Sequence, residues 1–136
     1  MTRRRPGNGA RDRGATAVEF ALLLPVLLLL VFGIIDLGRA LNAQITLTQA
    51  AREGARLAAL SQANVVSRTQ AAATGLSGVT VTVTACPSGG ATADATVQVS
   101  YPFTFATPLG AIARLLGGSG PGSSLTLTAT GVMACG

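Results

Sequence analysis

The sequence predicts an α+β protein with a single N-terminal transmembrane helix that continues as an extended helix, followed by a small, mainly antiparallel three-stranded sheet domain. Three observations support this class. An apolar run of membrane length lies near the N-terminus, helical spacing persists after it, and the later part of the chain alternates apolar and polar residues. The patterns divide the chain into a basic cytoplasmic leader (1–14), a helical segment (15–60) and an extracytoplasmic domain (61–136).

The first residues form a basic leader. Five of the ten basic residues, all of them arginines, lie in the first thirteen positions among Gly, Pro and Asn, without apolar periodicity. This composition predicts an irregular tail over 1–13. The remainder of the chain is nearly neutral and has no basic stripe, which argues against nucleic-acid binding.

The apolar run has the length of a membrane span. From Ala15 to Ile35 there are twenty-one residues, and Glu19 is the only charged one. A helix of this length covers about 30 Å, the thickness of the hydrocarbon core of a bilayer. Because the leader arginines outweigh Arg39 on the other side, the N-terminus is expected in the cytoplasm and the C-terminal domain outside. Pro25 removes a backbone donor within the run and predicts a bend.

The helix is expected to continue beyond the membrane. No proline follows Ile35 until Pro87, and apolar residues recur there at helical spacing. Ala50, Gly54 and Ala58 form a row of small residues at i,i+4 spacing, which permits a close helix contact. The row either contacts a helix of another subunit or lies beneath the chain's own sheet, and the sequence leaves both open.

A second helix and three strands are predicted in the C-terminal part. Ser61 is a candidate N-cap and Gly75 a candidate stop for a short helix. Alternating branched apolar and polar residues then predict half-buried strands. The helix is expected at 62–74 and the strands at 79–86, 95–105 and 125–135.

Several residues predict irregularities in this domain. Pro102 cannot donate to a ladder, so the second strand is expected at an edge of the sheet or broken there. Gly131 suggests a bulge in the third strand. Residues 108–117 are expected to form a helical turn and 117–124 a flexible connector.

Two cysteines in an extracytoplasmic segment predict one disulfide, Cys86–Cys135, and two free thiols are the alternative. Each cysteine ends a predicted strand. A bridge therefore requires the first and third strands to run in the same direction with adjacent ends. This requirement favours a sheet with the first strand between the other two.

The composition argues against catalysis. Histidine, lysine and tryptophan are absent, which removes the common general bases, Schiff-base amines and imidazole metal ligands. No Gly-rich phosphate loop lies between a strand and a helix. We therefore expect no catalytic residue, metal, cofactor or small-molecule substrate.

The start of the apolar run resembles a known processing signal. A basic leader ends at Gly14, four uncharged residues follow, and Glu19 precedes the apolar helix with Phe20 beside it. This arrangement is similar to the class III, or type IV pilin-like, signal cut by prepilin peptidases. The resemblance implies cleavage after Gly14, Ala15 as the new N-terminus, and Glu19 as the carboxylate that meets the amine of a neighbouring subunit during assembly.

A narrower resemblance covers about the first sixty residues. The opening G-A-x-A-V-E-F-A-L, the L-P-V-L-L-L-L run, the I-I-D-L-G-R stretch and the A-A-R-E-G-A-R box resemble the TadE-like family, pseudopilins of the tight-adherence (Tad, or Flp) pilus assembly system. The resemblance implies a single-pass membrane protein that is a pilus component. Its implied partners are the membrane, a prepilin peptidase, other pilins or pseudopilins, and the Tad assembly platform with its ATPase.

Two alternatives come from other classes of protein. In a secreted protein the head would be a conventional signal peptide cut before Leu41, although the apolar run exceeds the usual 7–15 residues. In a membrane-anchored enzyme or ligand-binding domain, the sheet would carry a polar pocket. A soluble product beginning at Leu41 distinguishes the first alternative, and such a pocket the second.

Overall fold

The computed structural model describes residues 9–87, 93–105 and 125–135, with side chains from Gly14 onward. A long helix is followed by a short helix and a three-stranded antiparallel sheet, which confirms the predicted fold class. The elements are α1 (Gly9–Ala59), α2 (Val65–Ala72), β1 (Thr80–Thr84), β2 (Asp94–Phe103) and β3 (Leu125–Ala134). The predicted turn at 108–117 and connector at 117–124 lie outside the described residues.

The long helix α1 is continuous over 51 residues. It begins at Gly9, so residues 9–13 are helical and the predicted irregular tail is wrong there. Alanine and arginine favour a helix, and extending an existing helix costs less than starting one. The helix passes through Pro25, whose missing N–H leaves the Ala21 carbonyl without its usual donor.

The end of α1 explains why α2 is shorter than predicted. The Ser61 N–H donates to the Ala58 carbonyl and the Gln62 N–H to the Leu57 carbonyl, at 3.1 and 3.0 Å. With Ser61 at a φ of 51°, this is a Schellman motif that terminates α1. Ser61 therefore closes the first helix and does not cap the second, which begins after Asn64.

The central strand of the sheet is β2, and β1 and β3 flank it. The prediction of the first strand in the centre is therefore wrong. At Pro102 the strand is unbroken and has a neighbouring strand on one side only, as the expected edge position requires. The ladder with β1 ends at the Thr80–Ser100 pair, whereas Pro102 pairs only with Thr126 of β3. The β1 strand does not extend alongside Pro102, so the missing N–H of Pro102 leaves no acceptor of β1 without a partner.

The disulfide Cys86–Cys135 joins the ends of the two outer strands. Both strands run antiparallel to β2 and hence in the same direction, as the bridge requires. Each cysteine lies beyond the end of its strand, so the chains converge past the start of β2 to a Cα–Cα distance of 5.9 Å. In the chain-entropy model a loop of this length stabilises the fold by about 4 kcal/mol.

The core lies between α1 and one face of the sheet. Gly54 of α1 is buried, and a Cβ there would meet the side chains of Thr69 in α2 and Val97 in β2. Ala50 and Ala58 are also buried in this core, so the row of small residues is covered by the chain's own sheet and second helix. Other buried members of the core are Leu47, Ala51, Ala55, Ala73, Val79, Ala95, Val99 and Ala129.

Gly131 allows the helix to approach the sheet closely. The ladder between β2 and β3 continues without a break through the Val97–Gly131 pair, so the predicted bulge is absent. A Cβ on Gly131 would collide with the Ala51 carbonyl group and lie 2.9 Å from the Arg52 nitrogen. The glycine is required because helix backbone lies directly on the strand.

We expect Gly131→Ala to destabilise the domain by roughly 1–3 kcal/mol, because the helix must move away from the strand. Gly38→Ala is the matched control, since a Cβ at Gly38 has nothing within 4 Å and alanine favours a helix. Thermal unfolding of the detergent-solubilised protein, followed by circular dichroism, measures both effects. Equal stability of the two variants would contradict the close contact.

Candidate assembly site on the long helix

The first half of α1 is an exposed apolar surface. Most large apolar side chains from Val18 to Ile35 are exposed, with Leu22 at 71% and Leu24 at 39%, and Phe32 is half-buried. The most apolar window has a mean hydropathy of 2.8, and none of it is buried within the described part of the chain. In length and composition this helix is a candidate membrane span, which fits membrane anchoring.

The predicted processing residues lie at the beginning of this surface. Gly14, Ala15 and Glu19 are all exposed on α1. Ala15 and Glu19 are four positions apart, so they lie on the same face of the helix, one turn from each other. An amine created at Ala15 would therefore lie on the helix face that carries the Glu19 carboxylate.

A second charged group lies immediately after the apolar run. Asp36 is buried, with 2% of its surface exposed, and its Oδ1 accepts a hydrogen bond from Arg39 Nη1 at 3.1 Å. The Arg39 guanidinium also lies over the Phe103 ring, 5.4 Å from its centroid, within the range of a cation–π contact. These contacts join the end of the apolar run of α1 to the end of β2.

The sequence alone did not reveal the contact with Phe103. The spacing of Asp36 and Arg39 predicts an i,i+3 ion pair. However, Phe103 lies 64 positions after Arg39, and no local pattern connects the two. The alternation in β2 placed Phe103 on the apolar face without showing which part of α1 lies against it.

The A-A-R-E-G-A-R box carries an exposed ion pair at the other end of α1. Arg56 donates from Nε and Nη2 to the two carboxylate oxygens of Glu53, at 3.0 and 2.7 Å. The hydrogen bond from Arg56 lowers the pKa of Glu53 and raises the pKa of Arg56. Both side chains remain exposed, so water screens the pair and limits its effect on stability.

Polar groups do not converge on an enclosed site in the described part of the chain. A cleft of about 540 Å³ lies beside the end of α1, and Arg56 is the only charged residue among the described residues that line it. Among the described residues, no group of three or more His, Cys, Asp or Glu side chains could hold a metal ion.

We expect Arg56→Gln to raise the pKa of Glu53 more than Arg68→Gln does, because Arg56 donates the hydrogen bond and Arg68 acts only through its charge. Carboxyl-resolved NMR titration measures the shift in each variant. Since folding lowers this pKa, the stabilising contribution is present above the unfolded pKa and is lost as the pH falls through the folded value. Equal shifts in the two variants would contradict the assigned cause.

Comparison with known proteins finds a match for the part of α1 that carries the predicted processing residues and the two ion pairs. Residues 14–56 match the family model described as TadE-like protein. No curated protein and no solved structure matches the chain. The matched range includes Gly14, Glu19, the Asp36–Arg39 pair and the Glu53–Arg56 pair, and it confirms the resemblance found in the sequence. The chain therefore carries a TadE-like segment, built on an N-terminal membrane-type helix.

Proposed function

We propose that this protein is a membrane-anchored, pseudopilin-like component of tight-adherence pilus assembly or of a related secretion machine. The observation that carries the proposal is the match of residues 14–56 to the TadE-like model, over a helix whose apolar half the rest of the domain leaves exposed. The role is structural, and we propose no catalytic step.

The exposed apolar half of α1 supports a place in the membrane or among other helices. A continuous apolar surface of this length is unfavourable in water. A helix satisfies its backbone hydrogen bonds internally and can therefore cross a bilayer. In the proposed topology the leader is cytoplasmic and the sheet domain lies on the opposite side, in agreement with the leader arginines.

Processing by a prepilin peptidase is the first step of the proposal. Cleavage after Gly14 removes the arginine-rich leader and leaves Ala15 as the N-terminal residue. The mature protein retains the apolar helix as its membrane anchor. Exposure of Gly14 in the folded chain is compatible with access by a protease.

Glu19 is the proposed assembly carboxylate. A lone carboxylate within apolar surroundings is costly, whereas a carboxylate paired with an amine recovers much of that cost. We propose that Glu19 pairs with the Ala15 amine of a neighbouring pilin or pseudopilin, which aligns adjacent helices. Moving such a helix out of the bilayer requires work, and the Tad platform with its ATPase is the proposed source.

We expect the membrane-extracted protein to begin at Ala15 in cells that contain the prepilin peptidase and to keep its leader in cells without the enzyme. Mass spectrometry of the N-terminal peptide gives the result directly. Gly14→Val is expected to block cleavage because the signal requires glycine before the cut, and Gly9→Val serves as the matched control. An uncleaved leader in both strains would contradict processing, and a start at Leu41 would identify a conventional signal peptide.

We expect Glu19→Gln to reduce crosslinking between membrane helices of neighbouring subunits by roughly tenfold, because the ion pair is lost while the shape of the side chain is kept. Glu53→Gln, at the exposed pair outside the apolar run, is the control and should leave crosslinking unchanged. Crosslinking through cysteines introduced in the apolar helix, in a strain that assembles the machine, measures the effect. An equal result for both variants would exclude Glu19 from assembly.

A further inference from the structure

The helix α1 and the strand β3 lie side by side and run in the same direction. Gln44 Nε2 donates to the Thr128 carbonyl at 2.9 Å, and Gly131 lies against the backbone of Ala51. Between these two contacts the helix advances by about 10 Å. The strand also advances by about 10 Å. The helix and the strand therefore advance by equal distances along the helix axis, and residues that start at the same level remain level.

Because α1 and β3 advance together, the position of Leu125, the first residue of β3, can be placed along the axis of α1. Leu125 lies three positions before Thr128, which corresponds to about seven helix positions before Gln44, close to Leu37. A separate contact supports the estimate, because Leu125 pairs with Phe103, and Phe103 lies beneath the Arg39 guanidinium. The end of the sheet is thus level with the first helical turn after Ile35.

In the proposed membrane anchoring, the first helical turn after Ile35 lies at the level of the lipid headgroups. The hydrocarbon core of a bilayer is about 30 Å thick and the whole bilayer about 40–45 Å, which leaves about 5–7.5 Å for the headgroups on each side. Ile35 is the last residue of the uncharged run, and Arg39 follows about 6 Å later along the helix. Arg39, Phe103 and Leu125, which we call the membrane-proximal row, fall within this zone.

The side chains of the membrane-proximal row suit this environment. Leu125 is 49% exposed at the tip of its strand, and Phe105 packs edge-on against Phe103 with the ring centroids 5.5 Å apart. The Arg39 side chain is 46% exposed and uses Nη1 for Asp36. An arginine has five N–H donors, so others can face a phosphate, which the planar guanidinium binds well.

We propose that Arg39 and Leu125 of the membrane-proximal row contact phospholipid headgroups, so that the end of the sheet domain lies on the bilayer surface. Phe103 is buried and supports the Arg39 guanidinium from within the domain. Arg39 contacts the phosphates and Leu125 reaches the boundary of the acyl chains. The inference depends on the proposed membrane anchoring and adds a second contact with the same bilayer. The row is continuous with the exposed apolar surface of α1, which favours lipid over a separate protein partner.

The experiment uses the natural absence of tryptophan, which makes any introduced tryptophan the only one in the protein. The full chain carrying Leu125→Trp is reconstituted in phosphatidylcholine vesicles whose acyl chains are brominated near the headgroup. We expect its emission to fall to roughly half of that in unbrominated vesicles, because the tip of the strand reaches the shallow bromines. A second variant, Arg39→Gln in the same background, is expected to weaken this quenching.

Two matched variants make the result decisive. Val132→Trp, seven positions farther along the same strand and 58% exposed, should show no quenching because it lies about 24 Å farther from the membrane. Leu28→Trp reports on anchoring and should be quenched by bromines placed deep in the acyl chains. Unquenched Leu125→Trp with quenched Leu28→Trp would overturn the headgroup contact alone. Unquenched Leu28→Trp would overturn anchoring and the contact together. Unchanged quenching with Arg39→Gln would overturn the role of Arg39.

Discussion

The close contact of α1 with β3 is the constraint on which the rest of the structure depends. At Gly131 the helix backbone lies directly on the strand, and at Gly54 the space for a side chain is occupied by Thr69 and Val97. Small residues at these points allow dense packing in a domain with few aromatic side chains. The Cys86–Cys135 disulfide lies at the end of the sheet opposite to Leu125 and adds a covalent restraint to this packing.

One helix thereby performs two tasks. Its second half is a core element of the sheet domain, buried at Leu47, Ala51 and Ala55, whereas large side chains of its first half are exposed and apolar. Because the helix is continuous from Gly9 to Ala59, a displacement of the apolar half is transmitted to the sheet domain.

Charged groups of α1 also differ between its apolar first half and its packed second half. Glu19 lies near the start of the apolar surface, the Asp36–Arg39 pair follows its end, and the Glu53–Arg56 pair lies on the exposed side of the packed half. Asp36 differs from the other acids because it is buried and its partner also contacts a side chain of the sheet. The pair therefore connects the end of the apolar half of the helix to the sheet.

Local sequence patterns determined the long helix, its apolar half and the three alternating segments, because each depends on spacing between near neighbours. They also supported the disulfide, since the chain has two cysteines and both end predicted strands. Only the tertiary structure decided that β2 is central, that Gly131 marks a helix contact and not a bulge, and that Ser61 ends α1. These features depend on contacts between residues far apart in the chain, such as Ala51 with Gly131 and Arg39 with Phe103. Local periodicity carries no information about which distant backbone will lie against a given residue.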